Sequence, residues 1–166
     1  MLIMFIQRFL SAIPLVTAII VVAAPAYSGP KLPTDCVPDQ SNSANCVPIL
    51  ACLGQDGIYF IGRAIGWSSG TFAGQSSANF ACFGEWLSKG SFGLGEANIT
   101  CDNALTGRAF FTYQHPETGT ATGLGVLSDG EPFRVWTGFN VEQFLRNEYG
   151  DINTTEMCKT ASKPVS

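Results

Sequence analysis

Few residues in this chain could carry out chemistry. The one histidine, His115, lies in Gln114-His115-Pro116-Glu117. Any Ser-His-Asp or Cys-His relay would have to pass through it. The G-x-S-x-G spacing occurs at Gly66-Trp67-Ser68-Ser69-Gly70, where Ser68-Ser69-Gly70 reads as a turn between strands, and a histidine beside proline between two strand-like runs reads as an exposed loop residue. Glu85 and Glu96 are the best-placed carboxylates, since they fall on neighbouring predicted strands. Two acids facing each other with their pKa values driven apart are the machinery of a hydrolase. Acids at strand ends are more often plain solvated side chains, so no catalytic residue is assigned. Phosphate-binding, dinucleotide-binding, zinc-protease and EF-hand motifs are all missing from the sequence, and no cofactor is expected.

Three tryptophans, Trp67, Trp86 and Trp136, are the candidate binding residues. An indole stacks on an apolar ring face while its N–H still donates a hydrogen bond. Three on one face would make a surface for a ligand or partner; burial in the core is the alternative.

The six cysteines are Cys36, Cys46, Cys52, Cys82, Cys101 and Cys158. They form no C-x-x-C pair and no Cys/His cluster, so no metal site is expected. An even number in an exported chain implies disulfides, whose pairing the sequence leaves open. Cys36 and Cys46 each begin a Cys-Val-Pro triplet around a polar segment, as in a stapled loop. Cys158, near the C-terminus, is placed to pin the tail.

Export is read from the leader. Residues 1–28 run from a short segment with one cation, Arg8, through an apolar stretch to small residues at Ala24, Ala26 and Ser28. That is the order of a secretory signal peptide, and the expected location is secreted or periplasmic. The formal net charge is −4 over 166 residues, and cleavage would remove a cation. No run of Lys or Arg exists to meet nucleic acid or an anionic membrane. No membrane span is expected once the leader is gone.

The elements that would position these residues are short strands. Charged residues make up only 13%, with 18 Gly and 12 Phe, a composition suited to strands and tight turns rather than long surface helices. Strands are expected near 57–67, 79–86, 92–99, 108–114, 121–127 and 133–139, separated by turn signals that include Asp129-Gly130. One helix is expected over about 140–149, with Asn140 as cap, Gln143 three residues on, and Gly150 at its end. The fold class is all-β: an antiparallel meander, sandwich or small barrel of short hairpins, held by disulfides, with one C-terminal helix. The organisation expected is a signal peptide at 1–28, an irregular arm at 29–45 and a single β-rich domain at 46–166.

Glycine-aromatic segments echo one another along the chain. Gly84-Glu85-Trp86 is followed at the right interval by Gly93-Leu94-Gly95, and Asp129-Gly130-Glu131-Pro132-Phe133 repeats a D-G-x-x-aromatic turn. Over residues 83–138 this resembles MORN-type repeats, which are short Gly-rich β-hairpins. The resemblance implies a twisted antiparallel sheet serving as a binding or scaffolding surface, with no catalytic residues. Cys82 and Cys101 depart from the repeat pattern.

The function expected is that of an exported, non-catalytic β-domain that binds a protein, a glycan or a component of the cell envelope. Two alternatives stand beside it. One is a secreted hydrolase using Glu85 and Glu96, or an acid near His115. The other is a structural envelope component whose Phe-rich strand edges pair with other subunits.

Overall fold

Side chains along a β-strand alternate between two faces, and in this protein the alternation sorts residues between the inside and the outside of a barrel. The computed structural model describes residues 32–39, 43–151 and 153–161. The expected leader, residues 1–28, and the first residues of the expected arm lie outside the described residues. Eight strands follow in order: β1 (Cys46–Leu53), β2 (Ile58–Gly66), β3 (Ser69–Ser76), β4 (Ala81–Leu87), β5 (Gly95–Cys101), β6 (Thr106–Gln114), β7 (Ala121–Leu127) and β8 (Pro132–Thr137). Each pairs antiparallel with the next, and β8 returns to β1, closing an up-and-down barrel. Closure leaves no unpaired strand edge. The expected all-β antiparallel architecture is present as its small-barrel form.

Two of the eight strands lack a clear strand signal in the sequence. β1 is apolar almost throughout and buried along most of its length. Its inner residues Ile49, Ala51 and Leu53 face the barrel interior, while Leu50 and Cys52 are covered from outside. A strand covered on both faces loses the polar alternation that reveals strands. β3 is built of small and polar residues, Ser-Gly-Thr-Phe-Ala-Gly-Gln-Ser, and its start coincides with a Ser-Ser-Gly turn signal. β5 starts at Gly95 rather than Phe92, because Ser91–Gly93 form a single 3₁₀ turn.

Glycine and phenylalanine are abundant for one shared reason. A Cβ on Gly84 would lie 2.6 Å from the tip of the Phe72 ring, one on Gly74 would lie 2.7 Å from Phe60, and one on Gly125 would lie 2.4 Å from Phe133. In each case the ring lies over a glycine on a neighbouring inward position, as the strand registers require. Rings folded onto the wall in this way cover exposed backbone and take little room from the centre.

The sequence predicts one helix, and two are present. α1 (Val141–Tyr149) occupies the predicted span, and α2 (Thr154–Ala161) follows it. The Asn140 side chain does not cap α1. Its Nδ2 instead donates to the Thr118 carbonyl at 3.3 Å, so the helix start is tied to the β6–β7 loop. Gly150 ends α1 with φ 69°, as expected for a helix terminus. Both helices lie on the outer face of β1, β2 and β8. There a second core forms from Leu50, Trp136, Val141, Phe144, Met157 and Ala161.

All six cysteines are paired, as Cys36–Cys46, Cys52–Cys158 and Cys82–Cys101. Cys36–Cys46 closes the arm onto β1, and Cys52–Cys158 fastens α2 to the barrel wall. Cys82–Cys101 links β4 and β5 on the inner face. Three disulfides belong to an oxidising environment, extracellular or periplasmic. Among the described residues no helix is long and apolar enough to cross a membrane.

Candidate functional site: a cavity inside the barrel

Eight strands enclose a space that side chains can either fill or leave open for one small ligand. In this barrel the choice differs between the two ends. At one end Leu53, Cys82, Cys101 and Leu127 are buried in the inner core and do not reach the cavity. They plug the barrel beneath the β1–β2, β3–β4, β5–β6 and β7–β8 turns. Towards the other end the inward positions carry Ala51, Ala64, Ala97, Ala109 and Ala121. These methyl groups are too short to meet across the barrel. The result is a cavity of about 500 Å³, within the range of small-molecule sites.

The cavity walls are apolar. Phe60, Phe72, Phe111 and Phe133 supply ring faces, and Ile49, Ile99 and Val135 supply branched aliphatic surface. Polar groups gather only at the mouth, where Ser88, Thr112, Gln114 and Thr137 line the rim. The mouth opens to solvent, since Leu87 and Tyr113 both line the cavity and are about half exposed. β6 contains an irregularity between Phe111 and Tyr113, which leaves Thr112 without a partner in the β7 register. An extra residue of this kind resets the alternation of a strand, so Gln114 shares its face with the cavity-lining Ala121.

Among the described residues no Lys, Arg or His lines the cavity. Glu96 borders it, but its carboxylate is engaged elsewhere. Glu96 pairs with Leu87 and Phe110 on the outward face. Its Oε1 accepts a hydrogen bond from the Ser91 backbone N–H, and its Oε2 lies 3.7 Å from Arg108 Nη2. The Glu96 carboxylate therefore anchors the β4–β5 loop. Glu85 sits opposite Asn98 rather than Glu96, so the two acids are not cross-strand partners.

The three tryptophans separate into three environments. Trp136 is 1% exposed, on the outer face of β8 under the helices, with its ring edge-on to Tyr149 at 5.8 Å. It is a core residue, which corrects its expected place on a binding surface. Its position on a strand covered by helices is invisible without the helix placement. Trp86 faces inward at the mouth, lines the cavity, and its Nε1 donates to the Ile65 carbonyl at 3.2 Å. Trp67 is 49% exposed in the β2–β3 turn. The three do not share one face.

His115 begins the β6–β7 loop. Its Nδ1 accepts from the Thr118 backbone N–H at 3.3 Å, and its ring lies 5.3 Å from that of Phe144. The histidine thus packs this loop onto α1 and is only partly exposed. On the outer wall, Arg134 reaches Tyr149 Oη and the Ala161 carbonyl, each at 3.4 Å. Burial raises the Tyr149 hydroxyl above its ordinary pKa, and the Arg134 charge opposes that rise.

The alanine and phenylalanine residues of the cavity do not stand out in the sequence as a site. Their signal is nevertheless there, in the period-two recurrence of Ala, Gly and Phe along β2 to β7. It stays mute until strand pairing fixes which parity faces inward.

No family model matches the chain, and no curated protein does. Solved structures similar to it include three designed barrels. "Structure of a redesigned beta barrel, mFAP0, bound to DFHBI" shares 15% identity at a TM-score of 0.45, covering 58% of this chain and 97% of that one. The corresponding mFAP1 barrel shares 16% identity, also at 0.45, over 58% and 94%. A de novo designed fluorescence-activating β-barrel shares 13% at 0.45 over 57% and 90%. The segments resembling MORN-type repeats fall on β4, the β4–β5 loop, the start of β5, and the β7–β8 turn.

Proposed function

We propose that this protein is an exported, non-catalytic binding domain that holds a small, uncharged, largely apolar molecule inside its barrel. The observation that carries the reading is the apolar cavity of about 500 Å³, open at one end and plugged at the other. Burying the apolar surface of a guest there is favourable by about 25 cal/mol per Å². Few inward polar groups have to lose water to admit it. A guest carrying a full charge would lose its hydration without gaining a counter-ion, because the walls offer no cation. The hydroxyl and amide groups at the rim suit a neutral polar end left facing solvent.

Within the class of binding domains expected from sequence, this reading replaces a protein or glycan partner with a guest held in the interior. The leader and the three disulfides support export. The commitment of Glu96 to Ser91 and Arg108 weighs against a hydrolytic carboxylate pair.

The test is to recover the protein from its native host and extract it with organic solvent. A stoichiometric apolar small molecule in the extract, or saturable one-to-one binding of a neutral environment-sensitive dye such as Nile red, is the expected result. An empty extract together with no saturable dye binding would remove the reading.

A further inference from the structure

The two ends of the barrel carry opposite chemistry. An up-and-down barrel sends alternate connections to opposite ends, so the β2–β3, β4–β5 and β6–β7 loops and the exit from β8 surround the cavity mouth. Ten large hydrophobic residues are conspicuously exposed among the described residues, and seven lie at this end: Val37, Ile65, Trp67, Leu87, Phe92, Tyr113 and Phe139. The other three, Phe83, Leu124 and Val126, lie on the barrel wall. The turns at the plugged end expose none. They carry the acids Asp56, Asp102, Asp129 and Glu131 instead. The mouth loops carry one cation, Lys89, and one acid, Glu117, and the arm beside Val37 adds Asp35, paired with Arg63, and Asp39.

Phe92 is the most telling member of the rim. Its side chain is 95% exposed. Its backbone sits at φ 61°, left-handed, followed by Gly93 at φ 74°. A bulky residue in that region is disfavoured, and an unpacked ring gains nothing in return within the isolated protein. The loop is nevertheless held, through the Glu96 carboxylate on Ser91 N–H, so that the ring projects away from the barrel.

We propose that the mouth rim docks onto a lipid bilayer, with Trp67, Phe92 and Phe139 entering the headgroup region so that the cavity opens against the membrane. The Trp67 indole favours that interface, where its apolar body leaves water and its N–H stays wet, and the Phe92 and Phe139 rings gain by leaving water. The charge layout gives the orientation: four acids sit at the far end, away from anionic headgroups, and the loops at the near end are close to neutral. Attachment therefore rests on apolar insertion rather than on a basic patch. The inference builds on the interior guest, since an apolar molecule is reached most readily where it is dissolved, in the bilayer.

The experiment is sedimentation with phosphatidylcholine vesicles, using the full chain as its host releases it, with disulfides formed. Wild-type protein should partition onto the vesicles with little change between low and high salt. The double variant Trp67→Ser with Phe92→Asp should lose about tenfold or more of that partitioning. Nile red binding by the same protein preparations, measured without vesicles, reports whether the variant is folded. If it fails there, the single variants Trp67→Ser and Phe92→Asp, each checked by melting, carry the comparison. Absence of wild-type binding would overturn the proposal and leave a protein as the occupant of the rim. Vesicle binding undiminished in folded variants would overturn it too. Vesicle binding without dye binding would sustain the rim and remove only the interior guest.

Discussion

At the scale of the residue, the proposed interior binding depends on what is missing. Ala109 is 1% exposed and faces Ala97 across the β5–β6 pair, so a larger side chain there projects into the cavity. Ala109→Phe should reduce dye affinity about tenfold or more while leaving the melting temperature near or above wild type, because it fills space instead of making a void. A titration and a thermal melt on the same sample check both halves. Glycine under phenylalanine sets the opposite limit. A Cβ at Gly84 would come within 1.8 Å of the Asn98 carbonyl oxygen and 2.6 Å of the Phe72 ring. Gly84→Ala should destabilise the fold by about 1–3 kcal/mol, read from urea unfolding. Such contacts are not legible in the sequence, where Gly84 is notable only as part of Gly84-Glu85-Trp86. The tryptophans teach the same lesson. Composition marks them as large amphipathic rings, but only the placement of α1 and α2 makes Trp136 a core residue and leaves Trp67 in water.

At the scale of the element, the two helices act as a buttress fastened by a single covalent bond. Cys52 and Cys158 are both fully buried and 106 residues apart in sequence. Breaking that link with Cys52→Ser and Cys158→Ser should cost about 2–5 kcal/mol. It should release α2, seen as accelerated amide exchange over 154–161, more than it disturbs the cavity. Tyr149 reports on the same buttress through pH. Burial, the leading cause, raises its pKa in the folded protein above the ordinary value of 10.0. Above that value the folded state keeps a proton that the unfolded state has lost. Stability from this group is therefore full below about pH 10 and falls as pH rises beyond it. Tyr149→Phe should flatten that part of the alkaline stability curve in denaturant titrations between about pH 9 and 11. The helix α1 is legible because Asn140, Gly150 and a single apolar face mark it. α2 escapes because it spans eight residues and depends on its disulfide and on the barrel wall.

At the scale of the whole molecule, the closed sheet turns one strand pattern into two separate cores and one cavity. A guest that binds only the folded state raises stability by about 2.7 kcal/mol at a hundredfold excess over its Kd. Saturation with a neutral apolar dye should therefore raise the melting temperature by about 5 °C or more for a domain of this size, and Ala109→Phe should cut that shift to about half or less at the same dye concentration. Differential scanning with and without dye measures it.

The sequence alone determined the local terms. Low charge, many Gly and Phe, and Asp-Gly and Ser-Gly turns dictate short antiparallel strands, because each of these preferences acts within a few residues. Six cysteines in a chain with a leader-like start dictate disulfides for a similarly simple chemical reason. Tertiary structure alone decided which cysteines pair, that β8 closes onto β1, and which face of each strand looks inward. Those outcomes depend on residues far apart in the chain meeting in register: Leu50 opposite Trp136, Ala51 opposite Val135. The cavity exists only once all eight strands agree on that register, and so no single segment of the sequence could announce it.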